Sequence, residues 1–321
     1  MVKICAIGAA SQDVFISGKG IRAQLDPQTN EYVEKFKLGA KLNVETITFA
    51  TGGGATNAAV TFARQGLDSN FIGKLGHDIA ASAVIAELDD EHVRTDEVVY
   101  DATLGTQYST VLLADTGERT VLIYRGAAHT HNAAEYSKID YTKYDWLYIS
   151  SFAGAMEALD AVVTKAKANG VKIAINPGEG ELAKMAQLRP LLEDVDIIFV
   201  NKEEAAQIVE GTELEELARH MTNYVAVAVI SDGPNGVVAT DGKTVVRAGM
   251  YEDVPVIDRT GAGDAFGSGF LSQWAQGKSL KDSIVFASAN STSVVTQIGA
   301  KGGILTANAK LHEMPLSEKP F

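Results

Sequence analysis

Cysteine is almost absent from this sequence: Cys5 is the single one among 321 residues, so no internal disulfide can form. Cys5 lies in the apolar run VKICAIG, which predicts a small core residue in a buried first strand rather than a nucleophile. The apolar stretch after Lys3 is too short for a signal peptide, and no stretch is long and apolar enough to span a bilayer. We therefore expect a soluble protein of a reducing compartment, located in the cytoplasm.

Positive charge is also scarce, because 28 Lys and Arg residues stand against 41 Asp and Glu residues, which gives a net charge of −13. Such a surface repels nucleic acid and anionic lipid, so we expect neither a nucleic-acid partner nor a membrane partner. A local anion site remains compatible with this charge, since helix N-termini and a few cations can hold a phosphate. Hydrophobic residues make up 46% of the chain, enough for a sizeable core.

Two common nucleotide-binding motifs are missing. Gly277-Lys278-Ser279 and Gly242-Lys243-Thr244 end like a P-loop, but Ser272 and Val237 stand where its first glycine is needed. The run Gly261-Ala262-Gly263 is followed by Phe266 where a dinucleotide-binding fingerprint needs glycine or alanine. Any nucleotide site must therefore be built in another way.

Short apolar segments recur along the second half of the chain, for example YDWLYIS, VKIAIN, VDIIFVN and YVAVAVI. The segments between them have the spacing of amphipathic helices, so we predict a mostly parallel sheet with helices on both faces. Residues 236–240, 241–249 and 253–258 are predicted to add late strands, and two long helices follow. The chain contains no linker or repeat, which favours one domain over residues 1–321.

Two other segments alternate between apolar and polar residues in a looser way. Residues 14–50 contain several turn signals, and TQYSTVLLAD and RTVLIYRGA flank the tight sequence DTGE at residues 115–118. The second pattern predicts a β-hairpin. Together the two segments are predicted to form a small sheet that projects from the main body.

The run DRTGAGDAF, at residues 258–266, carries the strongest chemical signal. Its closely spaced glycines let the backbone approach a ligand, and the helix that follows presents free amides and a dipole that favours an anion. Asp264 lies in the first turn of that helix. It either accepts a proton from an attacking hydroxyl beside a bound phosphoryl group, or only charges the helix start while the glycines serve packing. Spacing alone does not separate these interpretations.

Four motifs, in order along the chain, resemble those of the ribokinase family of sugar and nucleoside kinases, also called the PfkB family. Residues 258–264 resemble its D-T-x-G-A-G-D signature, with Arg259 where threonine is common. The other three resemble G-G-x-x-x-N-x-A, N-x-x-E and T-x-G-x-x-G, at residues 52–59, 201–204 and 231–236. The resemblance implies a ribokinase-like fold, a doubly wound αβα sandwich with a small projecting β-sheet lid from about residues 14–51 and 103–126.

The resemblance also implies roles around the reacting groups. Asp264 is implied to be the catalytic base, and the amides of Gly261, Ala262 and Gly263 are implied to form an anion hole. On the substrate side it assigns contacts with sugar hydroxyls to Gly53, Gly54, Asn57 and Asp13. Ribokinases proper often carry lysine at the position of Gly54, which leaves ribose specificity open. For Asp13 the alternative is a turn-forming aspartate.

On the nucleotide side, the resemblance implies ATP contacts by Asn201 and by the turn residues Ser231, Gly233 and Gly236. Glu204 is implied to order Mg²⁺ through water, because that ion retains much of its hydration. The alternatives from the residues alone are the exposed first turn of a helix and an ordinary tight turn.

Three further groups have weaker signals. Tyr124 and Arg125 follow the hairpin, and Arg125 either binds an acid group of the substrate or is a surface arginine. Asp258 and Thr260, with residues 296–303, match the place where many relatives hold a potassium ion. The HTH sequence of residues 129–131 has no evident third ligand, so we expect a polar loop rather than a metal site.

The predicted reaction is the transfer of the γ-phosphoryl group of ATP to a hydroxyl of a small sugar or sugar derivative. The alternatives are a nucleoside kinase of the adenosine kinase type and, from another class, a non-catalytic regulator that binds a sugar or nucleotide. Because lids of several relatives clasp a partner subunit, we expect a homodimer that forms through the lid.

Overall fold

The computed structural model describes residues 1–116, 118–249 and 254–321. Their strands are, in chain order, β1 (Lys3–Ile7), β2 (Ser11–Ser17), β3 (Gln24–Asp26), β4 (Glu31–Val33), β5 (Thr46–Gly52), β6 (Asp68–Ile72), β7 (Lys74–Leu75), β8 (Val99–Tyr100), β9 (Gln107–Leu113), β10 (Arg119–Tyr124), β11 (Trp146–Ile149), β12 (Lys172–Ile175), β13 (Ile197–Asn201), β14 (Val227–Ser231), β15 (Val237–Thr240), β16 (Thr244–Ala248) and β17 (Leu316–Pro320).

The α-helices of the described residues are α1 (Gly54–Arg64), α2 (Ile79–Asp90), α3 (Ala133–Tyr136), α4 (Met156–Ala168), α5 (Glu179–Leu182), α6 (Met185–Leu192), α7 (Lys202–Ile208), α8 (Leu214–Met221), α9 (Ala262–Trp274) and α10 (Leu280–Val294). Short 3₁₀ turns occupy residues 126–129, 141–143 and 233–235. Within these ranges, none of the helices combines the length and the apolar content needed to cross a bilayer.

A nine-stranded sheet forms the centre of the fold, in the order β17-β16-β15-β14-β13-β12-β11-β1-β6. The strands from β6 to β14 are parallel, whereas β14 to β17 pair antiparallel. Successive residues of a strand face opposite sides, so Cys5 and Ile7 pack with α4, and Ile4 and Ala6 pack with α1 and α9. The predicted sheet with a helical layer on each face is therefore confirmed.

The late strands differ from the prediction at two places. The strands β15 and β16 form as expected, but the prediction of a strand at residues 253–258 is wrong for residues 254–258, and Asp253 lies outside the described residues. The free edge of β16 is instead taken by β17, which the sequence analysis missed. The amide of Ile257 donates to the carbonyl of Val295, so this segment is tied to the end of α10 rather than to the sheet.

A separate four-stranded sheet projects from the body, in the order β10-β9-β2-β5, and we call it the lid. The predicted hairpin is confirmed, because β9 and β10 pair antiparallel; Gly117, in the predicted turn, lies outside the described residues. The strand β2 pairs parallel with β9 and antiparallel with β5. A two-stranded ribbon, β3 with β4, lies in the chain between β2 and β5. The lid therefore draws its strands from two distant parts of the sequence.

Candidate active site

The candidate site lies where β1 and β11 end and where α1 and α9 begin. The chain leaves β1 toward β6 on one side and later returns to β11 on the other, so strand order reverses at β1. Such a reversal opens a crevice beyond the carboxyl ends of the strands. A Cβ added at Gly54 would lie 3.0 Å from Asp264 Oδ1 and 3.1 Å from the Cβ of Ser150, the residue after β11. The predicted substrate and base residues therefore meet in this crevice.

Asp264 lies in the first turn of α9, but its carboxylate is engaged away from that helix. The amide Nδ2 of Asn57, on α1, donates a 2.8 Å hydrogen bond to Asp264 Oδ2. Burial raises the pKa of Asp264, while the bond from Asn57 and the charge of Lys301 lower it. Among the described residues, the buried Oδ1 of Asn57 has no hydrogen-bond partner. The Asp264 carboxylate, with its raised pKa, and the unpaired amide oxygen of Asn57 can therefore both accept a hydrogen bond from a ligand.

The turn before α9 depends on Gly261. This residue adopts a left-handed conformation with φ of 77°, which favours glycine over other residues. A Cβ at Gly261 would overlap the Cβ of Ala300, whereas a Cβ at Gly263 would meet nothing within 4 Å. The amides of residues 261–263 are therefore held at the helix start by a close backbone approach, and open space lies in front of Gly263.

Asp13 belongs to the lid strand β2 and lies against the start of α1. Ser11 Oγ donates to Asp13 Oδ1 over 3.1 Å, and burial raises the pKa of Asp13. A Cβ at Gly52 would overlap Asp13 Oδ2, and a Cβ at Gly53, whose φ is 95°, would overlap the backbone of the residues after β1. The glycine run thus lets the lid carboxylate approach the backbone at the edge of the crevice.

A cavity of about 250 Å³ opens on the other side of the α9 start. It brings together the predicted nucleotide residues Ser231, Gly233 and Gly236 with Ala262 and Gly263. The sequence analysis gave no nucleotide role to three residues of its lining, which are Arg259 of the signature, Ser288 on α10 and Val295 just after α10. The hydroxyl of Ser288 is buried and without a partner in the described part of the chain, so it is available to a ligand.

Asn201 and Glu204 cap α7 reciprocally. Asn201 Oδ1 accepts from the amide of Glu204 over 2.8 Å, and Glu204 Oε2 accepts from the amide of Asn201 over 2.9 Å. Burial raises the pKa of Glu204. The ammonium group of Lys202 lies 3.9 Å from a carboxylate oxygen of Asp232, which joins this helix start to the turn at residues 231–236. One carboxylate oxygen of Glu204 therefore serves the helix, and Oε1 makes no hydrogen bond to the described residues.

Asp258 joins two loops of the site. Its Oδ1 accepts from the amide and the hydroxyl of Thr260, at 2.9 and 2.7 Å, and its Oδ2 accepts from the amide of Gly299 at 3.0 Å. Arg119, on the lid strand β10, approaches Oδ1 to 4.0 Å. The carboxylate thus holds residues 258–260 against residues 296–303, the two segments predicted to surround potassium.

The lid hairpin ends at two residues with different surroundings. Tyr124 packs beside Gly126, where an added Cβ would lie 2.7 Å from the tyrosine ring. The side chain of Arg125 is exposed, and its guanidinium group has no ion pair or hydrogen bond to another described residue. Nearby, His131 Nδ1 lies 2.6 Å from the hydroxyl of Tyr136, and burial lowers the pKa of His131 to about 4. The described residues contain no group of three His, Cys, Asp or Glu side chains arranged for a metal.

Lys301 is a further residue of the site that the sequence analysis missed. It is only 4% exposed, and its ammonium group donates to the carbonyl and the hydroxyl of Thr51 at 2.8 and 2.7 Å. Burial lowers its pKa to about 8, against the opposing charges of Glu87, Asp13 and Asp264. A lone lysine in a loop carries no motif, so only the fold brings it here.

Solved structures of other proteins identify the fold of this chain. The chain aligns with a nucleoside kinase of Methanocaldococcus jannaschii, described as an archaeal member of the ribokinase family, with a TM-score of 0.78, 20% identity and 96% coverage of each chain. A ribokinase of Arabidopsis thaliana, complexed with ribose and ATP, gives a TM-score of 0.78 with 21% identity and coverage of 96% and 97%. The fold is ribokinase-like, with a central mixed sheet and a separate β-sheet lid, as predicted.

The sequence comparisons place the chain within this class. The family model for pfkB family carbohydrate kinases matches residues 27–307, and the ribokinase of Bacillus subtilis is 28% identical over 320 residues, which cover 96% of this chain and 98% of the relative. The chain belongs to the pfkB family of carbohydrate kinases. It is an ATP-binding phosphotransferase with an alcohol group as acceptor, and the family assignment from the four motifs is confirmed.

Proposed function

We propose that this kinase transfers the γ-phosphoryl group of ATP to a hydroxyl of a small sugar or sugar derivative, with Asp264 as the base. The observation that carries the proposal is the position of Asp264 between the predicted sugar-binding residues and a cavity of about 250 Å³. On one side lie Asn57 and the lid carboxylate Asp13, and on the other lies the cavity that Ala262 and Gly263 line. A hydroxyl held on the first side faces a phosphoryl group held on the second.

In this mechanism Asp264 accepts the proton of the attacking hydroxyl. Its raised pKa makes it a stronger base than an exposed aspartate, and the bond from Asn57 fixes its orientation. Asp13, the free Oδ1 of Asn57 and the backbone of Gly53 and Gly54 bind neighbouring hydroxyls. The amides of residues 261–263 and the dipole of α9 stabilise the charge that develops on the transferred group.

The nucleotide is proposed to occupy the 250 Å³ cavity, with contacts from Ser231, Gly233, Gly236 and Ser288 and a phosphate contact from Asn201. Glu204 fits a water-mediated magnesium site, because its capping bond uses one carboxylate oxygen and leaves the other open. Magnesium supplies charge neutralisation on the phosphates when bound. Potassium fits less directly, because both oxygens of Asp258 already accept protein hydrogen bonds; we propose that Thr260 and backbone carbonyls hold it.

A substrate panel tests the proposed function. Release of ADP would be measured with ribose, fructose, 2-keto-3-deoxygluconate, sugar phosphates and nucleosides as acceptors. We expect turnover with at least one sugar or sugar derivative. Turnover restricted to nucleosides would favour the nucleoside kinase instead, and tight ligand binding without ADP release from any acceptor would favour the non-catalytic regulator.

The same panel tests the proposed role of Arg125, which is exposed at the end of the lid edge strand. We expect Arg125→Ala to lower kcat/KM for acidic acceptors by about tenfold or more, since a charged hydrogen bond is worth about 1.5–3 kcal/mol, and to spare neutral ones. Arg22→Ala, at another exposed arginine of the lid region, serves as the control. Equal losses on acidic and neutral acceptors would remove Arg125 from substrate recognition.

We propose that the protein forms a homodimer through the lid face that points away from Asp13. The strand pairing puts Ile47, Phe49, Leu122 and Tyr124 on that face, and all four are exposed, Phe49 by 60% and Leu122 by 59%. Ile47 and Phe49 lie on the edge strand β5, and Leu122 and Tyr124 lie on the opposite edge strand β10. Exposed apolar side chains along one face of a sheet favour an interface.

Sedimentation velocity at micromolar concentration tests the dimer. We expect the wild type to sediment as a dimer and Phe49→Asp as a monomer, because a charge buried in an apolar interface is strongly unfavourable. Ile79→Asp, at an 85% exposed position on α2 outside the lid, should remain dimeric. A monomeric wild type, or a dimer that tolerates Phe49→Asp, contradicts the proposed interface.

A further inference from the structure

The cavity of about 250 Å³ beside the start of α9 has very little charge of its own. Among the described residues that line it, Arg259 is the only one with a charged side chain. The other lining residues offer hydroxyl groups, apolar side chains or, at the glycines, no side chain. A nucleoside triphosphate brings several negative charges to a chain whose net charge is −13. A single cation at the cavity wall is therefore important for binding such an anion.

The backbone of Arg259 is held in place, but its charged group is unpaired. The carbonyl of Arg259 accepts from the amide of Ala262 over 3.3 Å, which fixes the backbone at the turn before α9. The side chain is exposed, and its guanidinium group has no ion pair or hydrogen bond to another described residue. The guanidinium group is therefore available to a ligand in the cavity.

Asp258, the preceding residue, does not neutralise Arg259. Its carboxylate accepts hydrogen bonds from the amide and the hydroxyl of Thr260 and from the amide of Gly299. The cation that approaches this carboxylate is Arg119 of the lid, at 4.0 Å. The acidic group next to Arg259 in the chain is thus engaged by other residues.

Two lysines near the cavity already have acidic partners. Lys202, at the start of α7, lies 3.9 Å from a carboxylate oxygen of Asp232. Lys301, in the loop that packs against the turn before α9, lies 3.7 Å from Glu87. Of these three cations, Arg259 is the one without an acidic partner in the described part of the chain.

The start of α9 supplies the neutral part of an anion site. Ala262 and Gly263 are the first two residues of this helix and line the same cavity as Arg259, so their amides and the helix dipole favour a phosphate there. These amides carry no net charge. A guanidinium group adds a full positive charge and two parallel N–H donors, which match the oxygens of a phosphate. The two kinds of donor are therefore complementary.

We propose that Arg259 is a nucleotide-binding residue whose guanidinium group binds the phosphate chain of ATP beside the start of α9. The inference rests on the proposed function, in which the nucleotide occupies this cavity. It gives a role to the residue at which the chain departs from the family signature. The threonine that is common at this position could not make a charged contact with a phosphate.

Calorimetric titration with ATP, ADP, AMP and adenosine tests the inference on the wild type and on Arg259→Gln. We expect the substitution to weaken ATP binding by about tenfold or more, because it removes a charged hydrogen bond. The loss should decrease as phosphates are removed, and the affinity for adenosine should stay within about twofold. Salt should weaken ATP binding less in the variant than in the wild type, since one ionic contact is gone.

Two further variants separate the geometry of the side chain from its charge. Arg259→Lys keeps the charge but not the planar pair of donors, so its ATP affinity should lie between those of the wild type and Arg259→Gln. Arg247→Gln is the matched control, because Arg247 on β16 is also an exposed arginine but does not line the cavity. We expect it to bind ATP as the wild type does.

The outcomes distinguish the inference from the proposed function. Unchanged ATP affinity in Arg259→Gln, or an equal loss for ATP and adenosine, overturns the role of Arg259 and leaves the proposed function intact. An equal loss in Arg247→Gln would show an effect of overall charge and would also overturn it. The expected loss of ATP affinity without turnover of any acceptor by the wild type supports the inference, whereas the proposed function fails. Should Arg259→Gln not fold, Arg259→Thr is expected to show the same losses.

Discussion

Replacing Asp264 with asparagine is expected to lower kcat by about 10²- to 10⁴-fold, the usual contribution of a general base. The substitution removes the proton acceptor and little else. An asparagine oxygen at this position still accepts the bond from Asn57, and the amides of residues 261–263 are untouched. ATP affinity, measured by calorimetry or fluorescence titration, should therefore stay within about twofold of the wild type, a free-energy change within about 0.4 kcal/mol.

Stability measurements test whether a loss of activity in Asp264→Asn comes from unfolding rather than from the loss of the base. The folded protein raises the pKa of Asp264 above its unfolded value, so ionisation of this group in the folded state opposes folding at neutral pH. The penalty is absent below the unfolded pKa and grows as the pH rises through the folded one. Asp264→Asn never carries this charge, so its melting temperature at pH 7 should equal or exceed that of the wild type. A nearly normal kcat in a folded Asp264→Asn variant would refute the assignment of the base.

Alanine in place of Gly261 is the second substitution with a large expected effect. The new methyl group would overlap Ala300, and an L-residue at φ of 77° costs about 1–2 kcal/mol. Since relief of the overlap must move the turn, the amides at the start of α9 leave their positions. We expect kcat to fall by about 10²- to 10³-fold, comparable to the loss of an anion-hole donor.

Two other glycines provide controls for this variant. Gly277 has nearly the same conformation, with φ of 80°, and an added Cβ there meets nothing within 4 Å, so Gly277→Ala carries the backbone cost without the overlap. Gly263→Ala adds its methyl group to the open side of the turn, where the nucleotide is proposed to bind, and should raise the KM for ATP more than it lowers kcat. Equal kinetics in Gly261→Ala and Gly277→Ala would show that the anion hole does not depend on this turn.

The features that could be predicted from the sequence depend on interactions between residues that are close together in the chain. Glycine runs, turn sequences and apolar strands follow rules that operate over a few residues, and they located the strands, the hairpin and the neighbourhood of Asp264. Asn57 and Asp264 are 207 residues apart. Their proximity was expected only because both motifs resemble those of one family.

Other features depend on contacts between segments without motifs, so the sequence did not reveal them. Lys301 is recognisable as a residue of the site only through its contacts with Thr51 and Glu87. Ser288 is recognisable only because it lines the cavity beside α10. The apolar run at residues 254–258 resembled a strand, but β17, from the far end of the chain, occupies the sheet edge. Asn201 and Glu204 also show that a motif residue can serve the helix it begins while its second oxygen stays open.

The lid has no chain ends of its own, and this restricts how it can move. Its strand β2 follows β1 after three residues, and its strand β5 leads directly into α1. The other two lid strands join the body before β9 and after β10, so a rigid opening of the lid would require backbone rotation at all of these connections, which include the positive-φ glycines Gly8, Gly53 and Gly126. Asp13 travels with the lid, whereas Asp264 stays with the body. We propose that lid opening would separate these two carboxylates, so that a sugar bound to both would stabilise the closed lid.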